Sequence, residues 1–336
     1  MEHRNLGRTD LSVPTVIFGA WAIGGYYWGD TRDREALDAL WAALDGETIA
    51  IDTAPIYGYG HSERLCGVAL DGRRDRAIVM TKCGIRWDDP LERGVPAFQG
   101  RGPFGRDVKV FFNSRPDSVR LECERSLERL GVERIDLFQV HRPDETTPIA
   151  DTMGALLELR AEGKIREIGV SNYSAEQLEE ARVALGDVPL ASDQPEYSLV
   201  RRDIERDVLP WCREHGVGTV VYSPLEQGLL TGKVRADRVI PENDARSGRA
   251  TFTQENRAKV NALLDEVVAP AAERLDATYA QVVLAWTIAQ PGVTSVLAGA
   301  RTTEQVLENA RAGSLELETA ELEAIDRAFG TLELAR

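Results

Sequence analysis

Residues 135–171 read IDLFQVHRPDETTPIADTMGALLELRAEGKIREIGVS. An apolar run, Ile135–His141, gives way after a short polar turn to a segment of helical period, Ile149–Glu162. A second apolar run, Ile165–Ser171, follows at once. A strand, a crossover helix and a second strand joined by short loops make one βαβ unit, and the crossover sets the two strands parallel. The fold therefore turns on how often this unit recurs.

It recurs along the whole chain. Further strands are expected at Thr15–Gly19, Ile49–Asp52, Ala77–Lys82, Leu190–Gln194, Gly218–Tyr222 and Ser295–Gly299. Helical stretches alternate with them near Asp33–Leu44, Ser62–Leu70, Pro116–Leu130, Ala175–Ala184, Ile204–His215, Gln254–Ala289 (broken near Ala277) and Thr303–Ala312. Ser114 stands ahead of Pro116, a first-turn proline, and Ser174 with Gln177 has capping-box spacing. Eight strand–helix units predict an α/β fold of the (β/α)8 TIM-barrel type, with residues 1–336 as a single barrel domain. Residues 2–13, with Gly7 between two short arms, read as a hairpin closing the barrel bottom. Thr319–Phe329 reads as an extra C-terminal helix. A doubly wound sheet with a small second domain fits less well, because nothing separates two sets of units.

Composition narrows the class. With 43% hydrophobic and 28% charged residues the chain can bury a substantial core. A formal charge of −15 argues against nucleic-acid and anionic-membrane partners, while leaving room for a local basic pocket around a phosphate. The start MEHRNLGRTD has no signal-peptide core and no apolar run reaches membrane-spanning length, so a cytoplasmic location is expected. Cys66, Cys83, Cys123 and Cys212 are scattered, as are His3, His61, His141 and His215. That dispersal predicts reduced thiols and no metal site.

In a barrel, functional groups come from the C-terminal strand ends and the loops after them. Those ends carry Asp52, Lys82, His141, Ser171–Asn172, Gln194, Tyr222–Ser223 and Gly299. Each has an ordinary explanation alone. Asp52 can close a turn, Lys82 can sit in solvent, and Tyr57 in IAIDTAPIYGYGHSE (49–63) can pack its ring on the rim. Brought to one mouth they suit proton transfer. A phenol titrates near pH ~10, too high for ready exchange at neutral pH, and a neighbouring ammonium lowers it. Tyr57 as general acid, Lys82 tuning it, Asp52 keeping Lys82 charged and His141 orienting an oxygen would form a carbonyl-reduction site that needs a separate hydride donor. A Schiff-base aldolase using Lys82 is a competing reading.

The stretches IDTAPIYGYGHSE, VMTKCG, IDLFQVHRP, GKIREIGVSNYS, QPEYS, VVYSPLEQGLLTGK and VLAGARTTEQVLENA appear in that order from Ile51 to about Asn309. In this the chain resembles the aldo-keto reductases. The resemblance implies a (β/α)8 barrel that transfers hydride from NADPH, less often NADH, to aldehydes or ketones, with Asp52, Tyr57, Lys82 and His141 as the catalytic set. It assigns Ser171, Asn172 and Gln194 to the nicotinamide carboxamide, and Tyr222 to stacking on the ring. Ser223, Leu225, Gln227, Gly228 and Lys233 would follow the pyrophosphate. Gly299, Arg301, Gln305, Glu308 and Asn309 would lie near the adenosine, and Trp21 beside the cofactor and pocket. The aromatics Tyr26, Tyr27 and Trp28 of GGYYWGD, with Trp87 of IRWDD, are candidates to line the substrate pocket.

The chain departs from much of that family around the last strand. Gly299-Ala300-Arg301 with Gln305 resembles a branch near potassium-channel β subunits and bacterial stress reductases. That leaves Arg301 and Arg246 to pair with a 2′-phosphate and favours NADPH over NADH. Gln305 has a rival role as capping-box partner of Thr302. The same branch permits a third reading, a non-catalytic module that holds the cofactor as a sensor. A small-molecule carbonyl compound is the expected partner, and the sequence leaves monomer and homo-oligomer equally open. Finally, Gly100, Gly102 and Gly105 match G-x-G-x-x-G but lack a strand before and a helix after. A flexible loop is expected there.

Overall fold

The computed structural model describes residues 1–25, 32–47, 49–102, 107–241, 244 and 246–335. The chain starts with a hairpin, β1 (His3–Asn5) and β2 (Ser12–Pro14), which pair antiparallel. Alternation then begins with β3 (Val16–Gly19), α1 (Asp33–Asp45), β4 (Ala50–Asp52), α2 (His61–Leu70) and β5 (Ile78–Cys83). Three short strands intervene, β6 (Ile85–Arg86), β7 (Val95–Arg101) and β8 (Asp107–Phe112). Next come α3 (Pro116–Leu130), β9 (Ile135–Val140), α4 (Ile149–Ala161), β10 (Ile165–Val170), α5 (Ala175–Leu185), β11 (Leu190–Asp193), α6 (Val208–His215) and β12 (Gly218–Val221). After β12 the chain runs through α7 (Gln254–Leu263), α8 (Ala269–Arg274) and α9 (Tyr279–Ala289). It ends with β13 (Ser295–Gly299), α10 (Thr303–Ala312) and α11 (Thr319–Gly330). Strands β3, β4, β5, β9, β10, β11, β12 and β13 close into one parallel barrel, as the sequence predicts.

The two-residue period of a strand explains how one barrel holds both a core and a site. Ile17, Ala50, Met80, Leu137, Val220 and Leu297 form one buried cluster with Leu6, Leu11 and Val13 of the hairpin, so the hairpin plugs the lower barrel. Two residues further along each strand stand Gly19, Asp52, Lys82, Gln139, Tyr222 and Gly299. The inward positions thus change from apolar to polar or glycine as the strands reach their C-terminal ends.

Several local expectations need correction. The segment after β5 is no plain loop. Its β6, β7 and β8 form a three-stranded antiparallel sheet in which Gly100 pairs with Val108. Gly105 lies outside the described residues. The long helix expected at Gln254–Ala289 breaks near Ala277 as expected, but it is also interrupted earlier. Leu264–Val268 widens into a π turn just before Pro270, which lacks the N–H to continue the ladder. The second break has Asp276 at φ 47° before a Thr278–Gln281 capping box restarts the helix. The helix expected from Ile204 starts at Val208, where Asp207 caps it. Ser174 and Gln177 form their capping box, but Ser114 caps nothing, because Arg115 occupies the cap position before Pro116. No helix among the described residues is long and apolar enough to cross a membrane.

One glycine fixes the loop after β4. Gly58 has φ +61°, and a Cβ there would stand 2.1 Å from the Gly24 carbonyl oxygen. The Tyr57 loop thus lies backbone to backbone on the loop after β3. Gly58→Ala should cost at least about 1–3 kcal/mol through left-handed strain, more with the clash, and lower the thermal midpoint. An unchanged midpoint would contradict this close approach.

Candidate active site

The Lys82 ammonium sits at the centre of the barrel mouth. It donates to Asp52 Oδ1, to the Thr53 carbonyl at 3.0 Å and to the Tyr57 hydroxyl at 3.4 Å. Lys82 is fully buried and Asp52 is 1% exposed, so the pair has no water to share its charge with. The other Asp52 oxygen accepts from Gln194 Nε2 at 2.9 Å and from Gln139 Nε2 at 3.2 Å, and the two amides also bond each other. The His141 ring lies edge-on to Tyr57, with centroids 5.8 Å apart. Trp21 flanks the same phenol at 6.4 Å.

Charges at the mouth follow from this packing. Burial alone would lower Lys82, but Asp52 and then Tyr57 hold its ammonium above the usual range. Burial raises the Tyr57 phenol and Lys82 pulls it back, with a net upward direction. The sequence leads one to expect the opposite, a lowered phenol. Desolvation wins because little water reaches the ring's polar end. Burial drives His141 well below the usual histidine range, and the charges of Lys82 and Arg142 add to this. The site thus holds a neutral imidazole, a protonated phenol and an ammonium. A Schiff-base role for Lys82 finds no support here, since that chemistry needs a neutral amine.

Around this centre runs a second set of polar groups. The Tyr222 hydroxyl donates to Asn172 Oδ1 at 2.8 Å, and Asn172 Nδ2 donates to the His141 carbonyl and to Ser171 Oγ. Ser171 in turn donates to the Gln194 carbonyl at 2.6 Å. Asn172 has φ 63°, a conformation its short amide tolerates. The Gln194 amide nitrogen is turned down onto Asp52. In the loop after β12, Ser223, Glu226, Gln227 and Gly228 all have positive φ, which coils the backbone tightly beyond Leu225. Lys233 reaches Glu308 at 3.5 Å, tying this loop to α10, and Asn309 donates to the Gly299 carbonyl.

Asp244 takes both ends of the Arg246 guanidinium, at 2.8 and 2.6 Å. Arg301 is exposed at the start of the α10 segment, and its backbone N–H donates to Gln305 Oε1. Thr302 caps α10, while the Gln305 side chain serves Arg301, so the capping box is only half made. Trp87 meets Tyr59 edge-on at 5.5 Å and backs the Tyr57 loop. Tyr26, Tyr27 and Trp28 lie outside the described residues. All four cysteines are free and buried, and no cluster among the described residues could hold a metal.

Sequence reasoning missed the groups that brace the site. Gln139 is one; its signal was a buried amide two residues before His141 on an otherwise apolar strand. The HSE end of the tyrosine stretch is another. Ser62 bonds Thr53 and the Ala20 carbonyl, and buried Glu63 accepts from Thr81 at 2.7 Å and from Arg129 at 2.6 Å.

Comparison with known proteins fits this geometry. The model of the aldo/keto reductase family matches residues 15–329. This chain belongs to the aldo/keto reductase family. An NADH-specific methylglyoxal reductase of Escherichia coli is 38% identical, with 94% of each chain covered. A probable voltage-gated potassium channel β subunit of Arabidopsis thaliana is 32% identical, over 93% of this chain and 91% of its own. The solved glycerol dehydrogenase of Gluconobacter oxydans superposes with a TM-score of 0.86 at 37% identity, covering 97% of this chain and 94% of its own. The aldo/keto reductase barrel described above is thus matched over nearly its full length, in sequence and in structure.

Because Gln139 donates to a buried carboxylate, Gln139→Leu should destabilise this aldo/keto reductase by about 1–3 kcal/mol. Gln139→Glu should cost more, since it sets a second carboxylate against Asp52. Thermal unfolding of both variants tests this, and wild-type midpoints in both would refute it.

Proposed function

We propose that this chain is a nicotinamide-dependent reductase of aldehydes and ketones in which Asp52, Tyr57, Lys82 and His141 carry out the proton chemistry. One observation carries the reading: the Lys82 ammonium held between Asp52 and the Tyr57 hydroxyl, with His141 against the same ring, at the C-terminal rim of the barrel. The relatives support it, one being named a methylglyoxal reductase and another a glycerol dehydrogenase.

The residues present fit a dinucleotide. Gln227 Oε1 and Glu308 Oε1 are buried acceptors without a partner among the described residues, and they suit ribose hydroxyls or an adenine amine. The coiled Ser223–Gly228 loop can turn backbone N–H groups toward a pyrophosphate. Ser171, Asn172, Gln194 and Tyr222 would receive the nicotinamide end, with Trp21 beside them, and Leu225, Lys233, Gly299, Gln305 and Asn309 would line the rest. When bound, the nicotinamide supplies the hydride that adds to the carbonyl carbon. Tyr57 donates a proton to the oxygen as charge develops there. Lys82 stabilises the phenolate left behind, and Asp52 keeps Lys82 charged and aimed. Neutral His141 offers an N–H to the same oxygen. Arg301 would read a 2′-phosphate and so favour NADPH. Arg246 would add to that preference, and NADH is accepted as well, in keeping with the NADH-specific relative.

Tyr57→Phe should reduce turnover by about 10²–10⁴-fold while leaving NADPH binding, followed by fluorescence, intact. Near-normal turnover would exclude Tyr57 as the acid. A wild-type chain that binds NADPH yet turns over nothing in an aldehyde and ketone panel would point to the sensor instead.

The pH profile is a separate test. Carbonyl reduction should be flat from about pH 7 to 9, because His141 titrates well below about 6.5 and Tyr57 above about 10. Alcohol oxidation, which needs the phenolate, should rise with pH across the same range. A bell centred near neutrality in the reductive direction would contradict the assignment.

A further inference from the structure

The bond from Lys82 to Tyr57 joins a strand to a loop, and at 3.4 Å it is the longest of the three that the ammonium makes. What holds its two ends in place lies on the other face of β5. Successive side chains of a strand face opposite ways, so Thr81 turns toward α2 while Lys82 turns into the mouth. Thr81 is fully buried, and its hydroxyl donates to Glu63 Oε1 at 2.7 Å. Glu63 is fully buried as well, and its other oxygen accepts from Arg129 Nε at 2.6 Å. The Arg129 stem packs on the tyrosine loop, since a Cβ on Gly60 would stand 2.8 Å from its Cδ.

These contacts close a circuit around the phenol. Lys82 donates to the Thr53 carbonyl, and the Thr53 hydroxyl bonds Ser62. Ser62 precedes Glu63, Glu63 accepts from Thr81, and Thr81 precedes Lys82. Tyr57 hangs on the span between Thr53 and Ser62. A hydroxyl bonded to a buried carboxylate is a short, strong link, suited to holding a distance. Cutting it frees the strand from the helix that anchors the loop. We propose that Glu63 is a positioning residue of the proton-transfer centre, which through Thr81 sets the spacing between the Lys82 ammonium and the Tyr57 hydroxyl. This rests on the reductase reading above and adds to it a residue outside the four that carry the proton chemistry.

Thr81→Val removes the donor at nearly the same shape and changes no charge, and Thr81→Ser keeps the donor. With saturating NADPH and the best aldehyde of a panel, Thr81→Val should lower kcat by about ten- to a hundredfold, the scale of a misplacement of about 1 Å. KM should stay unchanged, because the spacing acts only as the proton moves. Thr81→Ser should retain most of the wild-type rate. In alcohol oxidation the rise of rate with pH should move to higher pH in Thr81→Val, since a phenolate farther from its ammonium forms less readily. A merely structural loss would lower the rate without moving that profile. Glu63→Asp keeps the charge and shortens the arm, so it should act in the same way and serves where Thr81→Val does not fold. The double variant should be no slower than the slower single one, because both cut the same bond. Crystal structures read the spacing without turnover: it should exceed 3.4 Å in Thr81→Val and Glu63→Asp and stay there in Thr81→Ser. Wild-type turnover in the two disruptive variants, additive losses in the double variant, an unmoved profile or an unchanged spacing would overturn the proposal. If the wild type reduces nothing in the panel, the reductase reading fails, and the spacing in the variant crystals alone decides whether Glu63 sets it.

Discussion

The mouth of this barrel depends on one buried ion pair. Lys82 and Asp52 meet where almost no solvent reaches, and each would be costly alone. A buried pair is seldom a net gain over an apolar one, because desolvation offsets most of the attraction. It holds here because every remaining polar atom of the pair is used. Lys82 spends its other donors on the Thr53 carbonyl and the Tyr57 hydroxyl, and Asp52 takes two amide donors on its second oxygen. The same bonds that make the charge tolerable also fix where the ammonium points. Stability of the mouth and aim of the phenol are therefore one arrangement.

The tyrosine itself is on a loop, and a loop residue needs outside support to hold a position. That support comes from three directions. Gly58 lies against Gly24 from one side, Ser62 links the start of α2 to the Ala20 carbonyl, and the ion pair of buried Glu63 with Arg129 fastens α2 to α3. Thr81, next to Lys82, donates to the same Glu63. The loop bearing the phenol and the strand bearing the ammonium are thus tied to a common carboxylate, which keeps their separation from drifting independently.

Most of this was legible because strand period and polar placement agree. Ile17, Ala50 and Met80 announce an apolar floor, and Asp52 and Lys82 two residues on announce a rim, so the register of the barrel could be read without coordinates. The three-stranded sheet of β6, β7 and β8 was hidden for a physical reason. Its pairing is local and antiparallel, and glycines and Pro96 obscure the alternation that would mark the strands. The direction of the Tyr57 shift was misread because a sequence shows which charges are near and not how much water has been removed. Gln139 was passed over because an amide inside an apolar strand has no partner until the neighbouring strands are in place.

The remaining polar groups bear on the proposed dinucleotide, which the barrel rim itself would hold. Gly19 and Gly299 pair in register on β3 and β13, leaving that sector of the rim without side chains. On the other side, Ser171, Asn172, Gln194 and Tyr222 form an unbroken hydrogen-bonded run toward His141. A ligand that is flat and amide-bearing at one end and charged at the other matches such a rim. Gln194 belongs to both systems, since its amide nitrogen holds Asp52 while its backbone carbonyl accepts from Ser171. A group that engaged Gln194 at the rim would therefore act on the carboxylate beneath Lys82, which would couple occupancy of the proposed cofactor site to the set of the proposed proton-transfer centre.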